Sequence, residues 1–239
     1  MINVEFAQFL ITTISFLLAY FIGVPLVGAF RAWVVTRMGD LTPKSLGFLT
    51  LNPVVHVDPF GLIFLLFFHF GWGRYVPINP LNISPPHRYL KLFLSYISRP
   101  LGHLLLAIVS TALLVASFGP DILGIAHRMM LYGDMQQITL ARFFPASSSL
   151  AISVAFILLV MAYLNAVLCI LDLIIDGFDL VLLLLAERSS TGHRSYNRST
   201  LVFIPLLLML AFSGVLRAKV VVPFILYVGK LIAALLSAK

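Results

Sequence analysis

Charged residues are scarce in this chain of 239 amino acids. Asp, Glu, Lys and Arg make up 10% of it, whereas 61% of the residues are hydrophobic. A soluble globular domain carries about 25% charged residues, so that class is excluded. The apolar residues form continuous runs and do not alternate with polar ones, which excludes the strands of a membrane β-barrel. The composition therefore predicts an all-α polytopic membrane protein.

Cysteine and glutamate are nearly missing. Cys169 is the only cysteine, so the chain cannot form an intramolecular disulfide. Glu5 and Glu187 are the only glutamates, and none of the six histidines has another histidine four residues away. A helix-borne zinc site of the His-Glu-x-x-His type needs two imidazoles one turn apart and an adjacent glutamate as general base. No segment of the chain supplies that set.

Acidic residues are outnumbered by basic ones, which gives a formal net charge of +7. The basic residues are scattered among short loops and helix ends, where they anchor membrane proteins at the lipid headgroups. We therefore expect the lipid bilayer, anionic lipid included, as a partner, and no nucleic acid. No Lys or Arg precedes Arg31, and Glu5 is acidic. The start lacks the basic region of a cleavable signal peptide, so we expect the first helix to be retained.

Six apolar segments predict about six transmembrane helices. They are Phe6–Val34, Phe60–Trp72, Leu101–Phe118, Ser149–Ala186, Leu201–Leu216 and Val220–Leu236. The second is only about half the usual length for a crossing, so it is short, tilted or partly re-entrant. We expect a bend or broken turn at Gly23 and Pro25, and a break in the fourth segment near Asp176-Gly177. With six crossings, the two faces carry similar numbers of Lys and Arg, and the positive-inside rule selects no orientation.

The connections between these segments also carry predictions. Phe48–Leu51 is a short β-like run, which predicts a small hairpin between the first two helices. Residues 71–99 form a proline-rich basic connection, and residues 119–145 form a more polar loop. The basic segment 188–198 is a solvated loop facing lipid headgroups or a docking site for a soluble partner.

Four separated segments resemble, in order, parts of the site-2 intramembrane metalloproteases. The first comprises Gly39-Asp40, Leu49-Thr50-Leu51-Asn52-Pro53 and His56-Val57-Asp58-Pro59, which resemble the passage after the family's zinc-binding helix. The others are Gly71-Trp72 with Val76-Pro77-Ile78-Asn79-Pro80, then Arg99-Pro100-Leu101-Gly102-His103, and finally Asp176-Gly177. The third is similar to the family's Gly-Pro-x-x-Asn helix start. The fourth is similar to the element whose Asp is the third zinc ligand.

This resemblance covers residues 20 to 180 and implies a site-2 protease-like core within a single membrane domain, 1–239. Two C-terminal helices, in residues 200–239, would complete that domain. By the family's spacing, Val27-Gly28-Ala29-Phe30-Arg31 stands where His-Glu-x-x-His belongs. Val27 and Arg31 replace the two histidines and Gly28 replaces the glutamate, so we predict no catalytic residue and no zinc. Leu171, Leu173 and Ile174 replace the family's prolines near Asp176, which predicts a more helical backbone there.

Asp172, Asp176 and Asp179 lie at i, i+4 and i+7, on one face of a predicted helix. Carboxylates in a bilayer are costly unless they are paired or hydrated. The favoured interpretation is that Arg31 neutralises Asp176, so that an ion pair substitutes for the metal. A polar cleft or ion site is the alternative. A metal site rebuilt from His56, His69, His103 and Asp176 would require the fold to bring these residues together.

Three functions follow from this pattern. The favoured one is a catalytically inactive site-2 protease homologue that acts as a binding or structural subunit, with other membrane proteins or transmembrane helices as partners. The second is an active intramembrane zinc metalloprotease with an atypical site. The third is an ion channel or transporter that uses the intramembrane aspartates, although no paired broken-helix repeat supports it.

Overall fold

A computed structural model describes residues 4–132, 137–144, 147–188 and 217–237, and this part of the chain is mostly helical. The α-helices are α1 (Val4–Arg37), α2 (Thr42–Ser45), α3 (Pro53–His56), α4 (Pro59–Phe68), α5 (Arg88–Phe118), α6 (Ile122–Tyr132), α7 (Gln137–Phe143), α8 (Ser149–Arg188) and α9 (Val222–Ser237). A 3₁₀ turn spans Pro80–Asn82, and a π-helical turn, Arg217–Val221, leads into α9.

Four of these helices are long and apolar enough to cross a bilayer. The candidate spans are Glu5–Arg37, Arg88–Phe118, Ser149–Leu185 and Ala218–Ser237. The chain is therefore an integral multi-pass membrane protein. The predicted span Leu201–Leu216 lies outside the described residues. The six predicted crossings are not confirmed, because the segment at residues 60–72 takes a different form.

That segment is a short hairpin. Helix α4 has 10 residues, which gives a length of roughly 15 Å, about half of the hydrocarbon thickness. His69 ends it in the left-handed conformation, and the chain then returns so that Val57 and Gly73 form an antiparallel bridge. The two legs meet backbone to backbone, since a Cβ on Gly61 would collide with the carbonyl oxygen of Trp72. Both ends of the hairpin thus lie at the same level, as in a re-entrant segment.

The predicted β-like run Phe48–Leu51 is not a strand. In the described residues the only β-type pairing is the single bridge between Val57 and Gly73. Residues 119–145, predicted to be a polar loop, contain α6 and α7. Their apolar residues pack into the core, where Ile122, Ala126 and Met130 are fully buried.

The long helices are more continuous than the sequence suggested. Helix α8 runs unbroken through Gly177, so the predicted break is wrong, whereas the predicted helical backbone around Leu171 and Ile174 is confirmed. A single glycine destabilises a helix by only about 1 kcal/mol relative to alanine. That cost is too small to break the helix. Helix α1 likewise continues through Pro25. Helix α5 begins at Arg88, twelve residues before Pro100, and not at the predicted Leu101.

Helix α5 packs along α8, and α1 packs against both of them. Their shared surface is apolar over most of its length, with buried residues such as Phe16, Leu114 and Phe156. Gly102 lets α5 approach α1 closely, because a Cβ there would lie 3.1 Å from Val27. The buried charged residues of these three helices lie together, and there they form the candidate site.

Asp40 fixes the chain where α1 ends. Its carboxylate accepts hydrogen bonds from the Asn79 backbone N–H (2.7 Å), the Asn82 side-chain amide (2.7 Å) and the Thr42 hydroxyl (2.6 Å). Burial by itself would raise the pKa of Asp40, but these hydrogen bonds outweigh it and hold the pKa below the usual value. The end of α1 is thereby tied to the 3₁₀ turn that precedes α5.

Candidate functional site

Arg31 on α1 is the residue around which the site forms. Its side chain is fully buried, and one guanidinium nitrogen lies 2.5 Å from a carboxylate oxygen of Asp176 on α8. The ion pair predicted from the sequence is therefore present. Asp176 is 1% exposed, so neither charge reaches solvent. A buried charge is tolerated only when it is paired in this way.

Arg99 on α5 adds a second guanidinium to the same site. One of its nitrogens lies 2.6 Å from Asp172, and its Nε lies 3.2 Å from Asp176. Arg99 thus connects the two carboxylates that stand one turn apart on α8. Two guanidinium groups and two carboxylates balance in charge, and we call Arg31, Arg99, Asp172 and Asp176 the ion-pair cluster.

Tyr75, from the chain that follows the hairpin, covers the cluster. Its hydroxyl accepts a hydrogen bond from Arg31 at 3.2 Å. The carbon at the centre of the Arg31 guanidinium lies 4.8 Å from the Tyr75 ring centroid, and that of Arg99 lies 5.4 Å from it. Both distances are in the range of cation–π attraction, so one aromatic ring contacts both cations.

His103 and Asn165 extend the polar contacts along α5 and α8. Nδ1 of His103 lies 2.7 Å from Oδ1 of Asn165, and Nε2 lies 3.2 Å from Oδ2 of Asp172. The amide of Asn165 donates at 2.8 Å to the carbonyl of Met161, one turn back on α8. These residues are nearly inaccessible to solvent.

The three positions of the degenerate motif have separate surroundings. Arg31 belongs to the ion-pair cluster, whereas Val27 is buried against Gly102 of α5. Gly28 lies directly under the imidazole of His56, so close that a Cβ would collide with Nδ1. The His56 ring therefore fills the space beside the position where the family carries its glutamate.

His56 is held in that place by its other nitrogen. Nε2 lies 2.8 Å from the carbonyl of Thr50, so it carries the hydrogen and donates it, while Nδ1 has no hydrogen-bond partner. Burial lowers the pKa of His56 below its usual value. The ring is thus neutral at neutral pH, with its unprotonated nitrogen over Gly28.

The remaining motif residues begin the two short helices. Asn52 is the N-cap of α3 and its side chain accepts from the Val54 N–H at 3.1 Å, while Pro53 takes the first helical position. Asp58 is the N-cap of α4 and accepts from the Gly61 N–H at 2.9 Å, with Pro59 next. Both pairs combine a capping side chain with a proline that needs no N–H partner. Their observed contacts are structural.

The side chains around Asp176 do not form a set of ligands that fits a zinc ion. Zinc sites use imidazole, thiolate and carboxylate ligands, and here the carboxylate of Asp176 is taken by two guanidinium groups. Throughout the described ranges no group of three or more His, Cys, Asp and Glu side chains is arranged to hold a metal. The ring of His69, a candidate for a rebuilt site, packs tilted against Phe16 at 4.7 Å between ring centroids and does not join Asp176.

Sequence reasoning found Arg31, Asp172 and Asp176, and it missed the roles of Arg99, Tyr75 and Asn165. A signal for two of the missed residues was present. Asn165, Asp172 and Asp176 are spaced by seven and four residues, which places them on one helix face, and Arg99 precedes His103 by four. For Tyr75 no comparable signal exists, because its position depends on the return of the hairpin.

One curated protein is similar to part of this chain. It is described as "Putative zinc metalloprotease YwhC" of Bacillus subtilis (strain 168), and the two sequences are 42% identical over 85 residues. The match covers 36% of this chain and 38% of that protein, so the chain spans well under half of the relative's length. No family model and no solved structure matches the chain. The similarity loosely supports the relationship to site-2 metalloproteases.

Proposed function

We propose that this protein is a catalytically inactive relative of the site-2 metalloproteases that serves as a binding or structural subunit of a membrane protein assembly. The observation that carries the proposal is the buried contact of 2.5 Å between Arg31 and Asp176. A fixed cation occupies the position of the second histidine and contacts the carboxylate at the position of the third ligand. A guanidinium there repels Zn²⁺ and replaces its charge.

Peptide hydrolysis by a zinc protease needs a metal-bound water and a general base beside it. Val27 and Gly28 carry no group that can ligate a metal or accept a proton. His56, the nearest base to Gly28, is turned so that its unprotonated nitrogen faces the α1 backbone. In this proposal the core keeps its packing and its polar centre, and it offers partners a helical membrane surface without cleaving them.

Metal content tests the loss of catalysis. The protein is extracted in mild detergent, exposed to Zn²⁺, desalted and analysed for bound metal. We expect less than stoichiometric zinc and no change in thermal stability with chelator. One retained zinc per chain, lost in the Asp176→Asn variant and kept in the half-buried Asp179→Asn control, would refute the proposal.

Association with other membrane proteins tests the subunit role. Chemical cross-linking in native membranes, followed by gentle extraction, is expected to recover one partner in a constant ratio to this chain. Arg31→Lys keeps the positive charge but lacks the planar guanidinium group. This variant perturbs the buried site and leaves the surface of the protein unchanged. A chain that is monodisperse and alone before and after cross-linking would contradict the subunit role.

The transport alternative rests on Asp172 and Asp176, and their surroundings weigh against it. Each carboxylate accepts from a guanidinium group, so neither is free to bind a passing cation. The atypical-protease alternative would need another metal site. Ion flux in reconstituted vesicles that falls in Asp172→Asn would revive the transport alternative in place of the subunit role.

A further inference from the structure

His103 is held between two oxygen atoms, one on each of its ring nitrogens. Nδ1 faces Oδ1 of Asn165 at 2.7 Å, and Nε2 faces Oδ2 of Asp172 at 3.2 Å. The three residues are 7% exposed or less, and the distances between their side chains leave no room for an intervening water molecule. The arrangement joins the middle of α5 to α8 through a single imidazole.

The orientation of the Asn165 amide decides where one hydrogen lies. Its nitrogen is 2.8 Å from the Met161 carbonyl, which can only accept, so the nitrogen belongs there and the oxygen faces His103. The opposite orientation would place two acceptor oxygens in contact. Nδ1 of His103 therefore carries a hydrogen and donates it to Asn165.

The second nitrogen faces a carboxylate. If His103 were neutral with its hydrogen on Nδ1, the lone pair of Nε2 would point at the lone pairs of an ionised Asp172 oxygen, which is repulsive. One proton between these atoms removes the conflict, whether it is bonded to nitrogen or to oxygen. The other oxygen of Asp172 is the one that receives Arg99, so the two contacts do not compete for the same atom.

We propose that His103 and Asp172 together bind one proton inside the membrane domain, and that this proton couples α5 to α8. The proposal does not depend on the proposed function, because it concerns contacts that neither require nor exclude catalysis. The charged or titratable groups around the pair are Arg99 and Arg31, Asp176 beyond Arg99, and Cys169 on the same helix as Asp172. The four charges of the ion-pair cluster balance without this proton, so the contacts that favour it are those of the imidazole with Asn165 and Asp172.

Loss of the proton has a structural consequence. Nε2 and the carboxylate would then repel each other across the contact between α5 and α8, the most extensive helix contact in the described part of the chain. Deprotonation is thus expected to loosen these two helices at the level of the ion-pair cluster, and proton binding to close them. The ligand of this site is the proton.

Nitrogen NMR of the protein in lipid tests the proposal without a substitution. The chain is labelled with ¹⁵N in histidine and ¹³C in the asparagine side-chain carbonyl, and His103 is assigned by the coupling of its Nδ1 to Asn165. When the shared proton lies on the imidazole, both ring nitrogens of His103 carry hydrogen. The same proton could instead be detected on Asp172, as the infrared carbonyl band of a protonated carboxylic acid. A bare Nε2 together with an ionised Asp172 at pH 7 would overturn the proposal.

Two variants separate a bound proton from a simple packing contact. In Asp172→Asn the new amide can donate to Nε2, so His103 is expected to become neutral and the Nε2 signal to move to the unprotonated range. Asp179→Asn makes the same chemical change about two turns from Asp172 on α8 and is expected to leave the His103 signal and the infrared band unchanged. If Asp172→Asn changes neither the Nε2 signal of His103 nor the infrared band of a protonated carboxylic acid, the proposal fails. If Asp172→Asn does not fold, the nitrogen and infrared spectra of the wild-type protein decide alone.

Discussion

The residue that most determines this site is an arginine buried beyond the reach of water. Moving a single guanidinium into a low-dielectric interior costs several kcal/mol even after relaxation, and only a close anion offsets that cost. Asp176 supplies the anion, and Arg99 and Tyr75 complete the surroundings. The pair does not have to be more stable than an apolar core in order to persist. Once the pair is present, the loss of one partner alone is strongly destabilising, because it leaves the other charge buried and unpaired.

Replacement of Arg31 by alanine is therefore expected to destabilise the protein by about 3–5 kcal/mol, the range for breaking a buried pair. The double variant Arg31→Leu with Asp176→Leu removes both charges and should recover most of this loss, because Arg99 keeps Asp172 as its partner. Thermal unfolding in detergent measures both effects. Equal midpoints for Arg31→Ala and the wild-type protein would contradict the pairing argument, and so would a double variant less stable than the single one.

Gly28 offers a second prediction at this scale, which tests the position of His56. A methyl group at residue 28 would collide with the imidazole, so Gly28→Ala is expected to destabilise the protein by about 1–3 kcal/mol, as overpacked cores do. His56→Ala introduced into the same chain makes room and should reduce the cost of Gly28→Ala to near zero. Gly177→Ala is the matched control, since a Cβ there meets nothing within 4 Å.

This control has an expected sign of its own. Alanine stabilises a helix relative to glycine by about 0.5–1 kcal/mol, so Gly177→Ala should be neutral or slightly stabilising. If Gly28→Ala behaves like Gly177→Ala, His56 does not lie over α1 in the way described. A cost for Gly28→Ala that persists without His56 would lead to the same conclusion.

At the scale of the helices, the sequence predicted where the long helices lie, but it did not predict that they are continuous. Apolar runs located the long helices. The arginine at the position of the second motif histidine predicted the contact between Arg31 and Asp176. The break at Gly177 was inferred from composition, but the backbone hydrogen bonds of a 40-residue helix outweigh the preference of one residue. The remaining cluster depended on tertiary structure, since Tyr75 reaches Arg31 only after the hairpin returns.

The hairpin is the element whose form composition could not decide, and Gly61 tests it. Its Cα faces the carbonyl of Trp72, which is backbone and cannot rotate away. Gly61→Ala is expected to force the two legs apart and to cost about 1–3 kcal/mol. Gly124→Ala, in α6 with open space around it, is the control and should cost nothing.

The midpoints of thermal unfolding of Gly61→Ala and Gly124→Ala are compared in the same detergent. A crossing helix at residues 60–72 would not bring Gly61 and Trp72 together. An unchanged midpoint for Gly61→Ala would thus contradict the re-entrant form directly, whereas a loss confined to Gly61→Ala supports it.

At the scale of the whole molecule, the hairpin changes the distribution of charge across the membrane. Because the segment at residues 60–72 returns to its starting face, the end of α1 and the start of α5 lie on the same side. That face carries Arg37, Lys44, Arg74, Arg88 and Lys91. Glu187 near the end of α8 lies 2.7 Å from Arg88, which places the end of α8 on this face as well. The opposite face carries Arg128 and Arg142, together with Arg217 and Lys219 in the π-helical turn that contacts α6.

The positive-inside rule selected no orientation for six crossings. With the hairpin, the first face has five of these described basic residues and the opposite face four, which predicts that the first face is cytoplasmic. Single cysteines in a Cys169→Ala background test this, at the exposed positions Leu46, Ser84 and Asp121. In intact cells an impermeant thiol reagent is expected to label Asp121→Cys, and to label Leu46→Cys and Ser84→Cys only after permeabilisation. Labelling of all three in the reverse pattern would invert the orientation but keep the fold. Labelling of Leu46→Cys and Ser84→Cys from opposite sides would mean that the intervening segment crosses the bilayer, and both the hairpin and the charge argument would then be wrong.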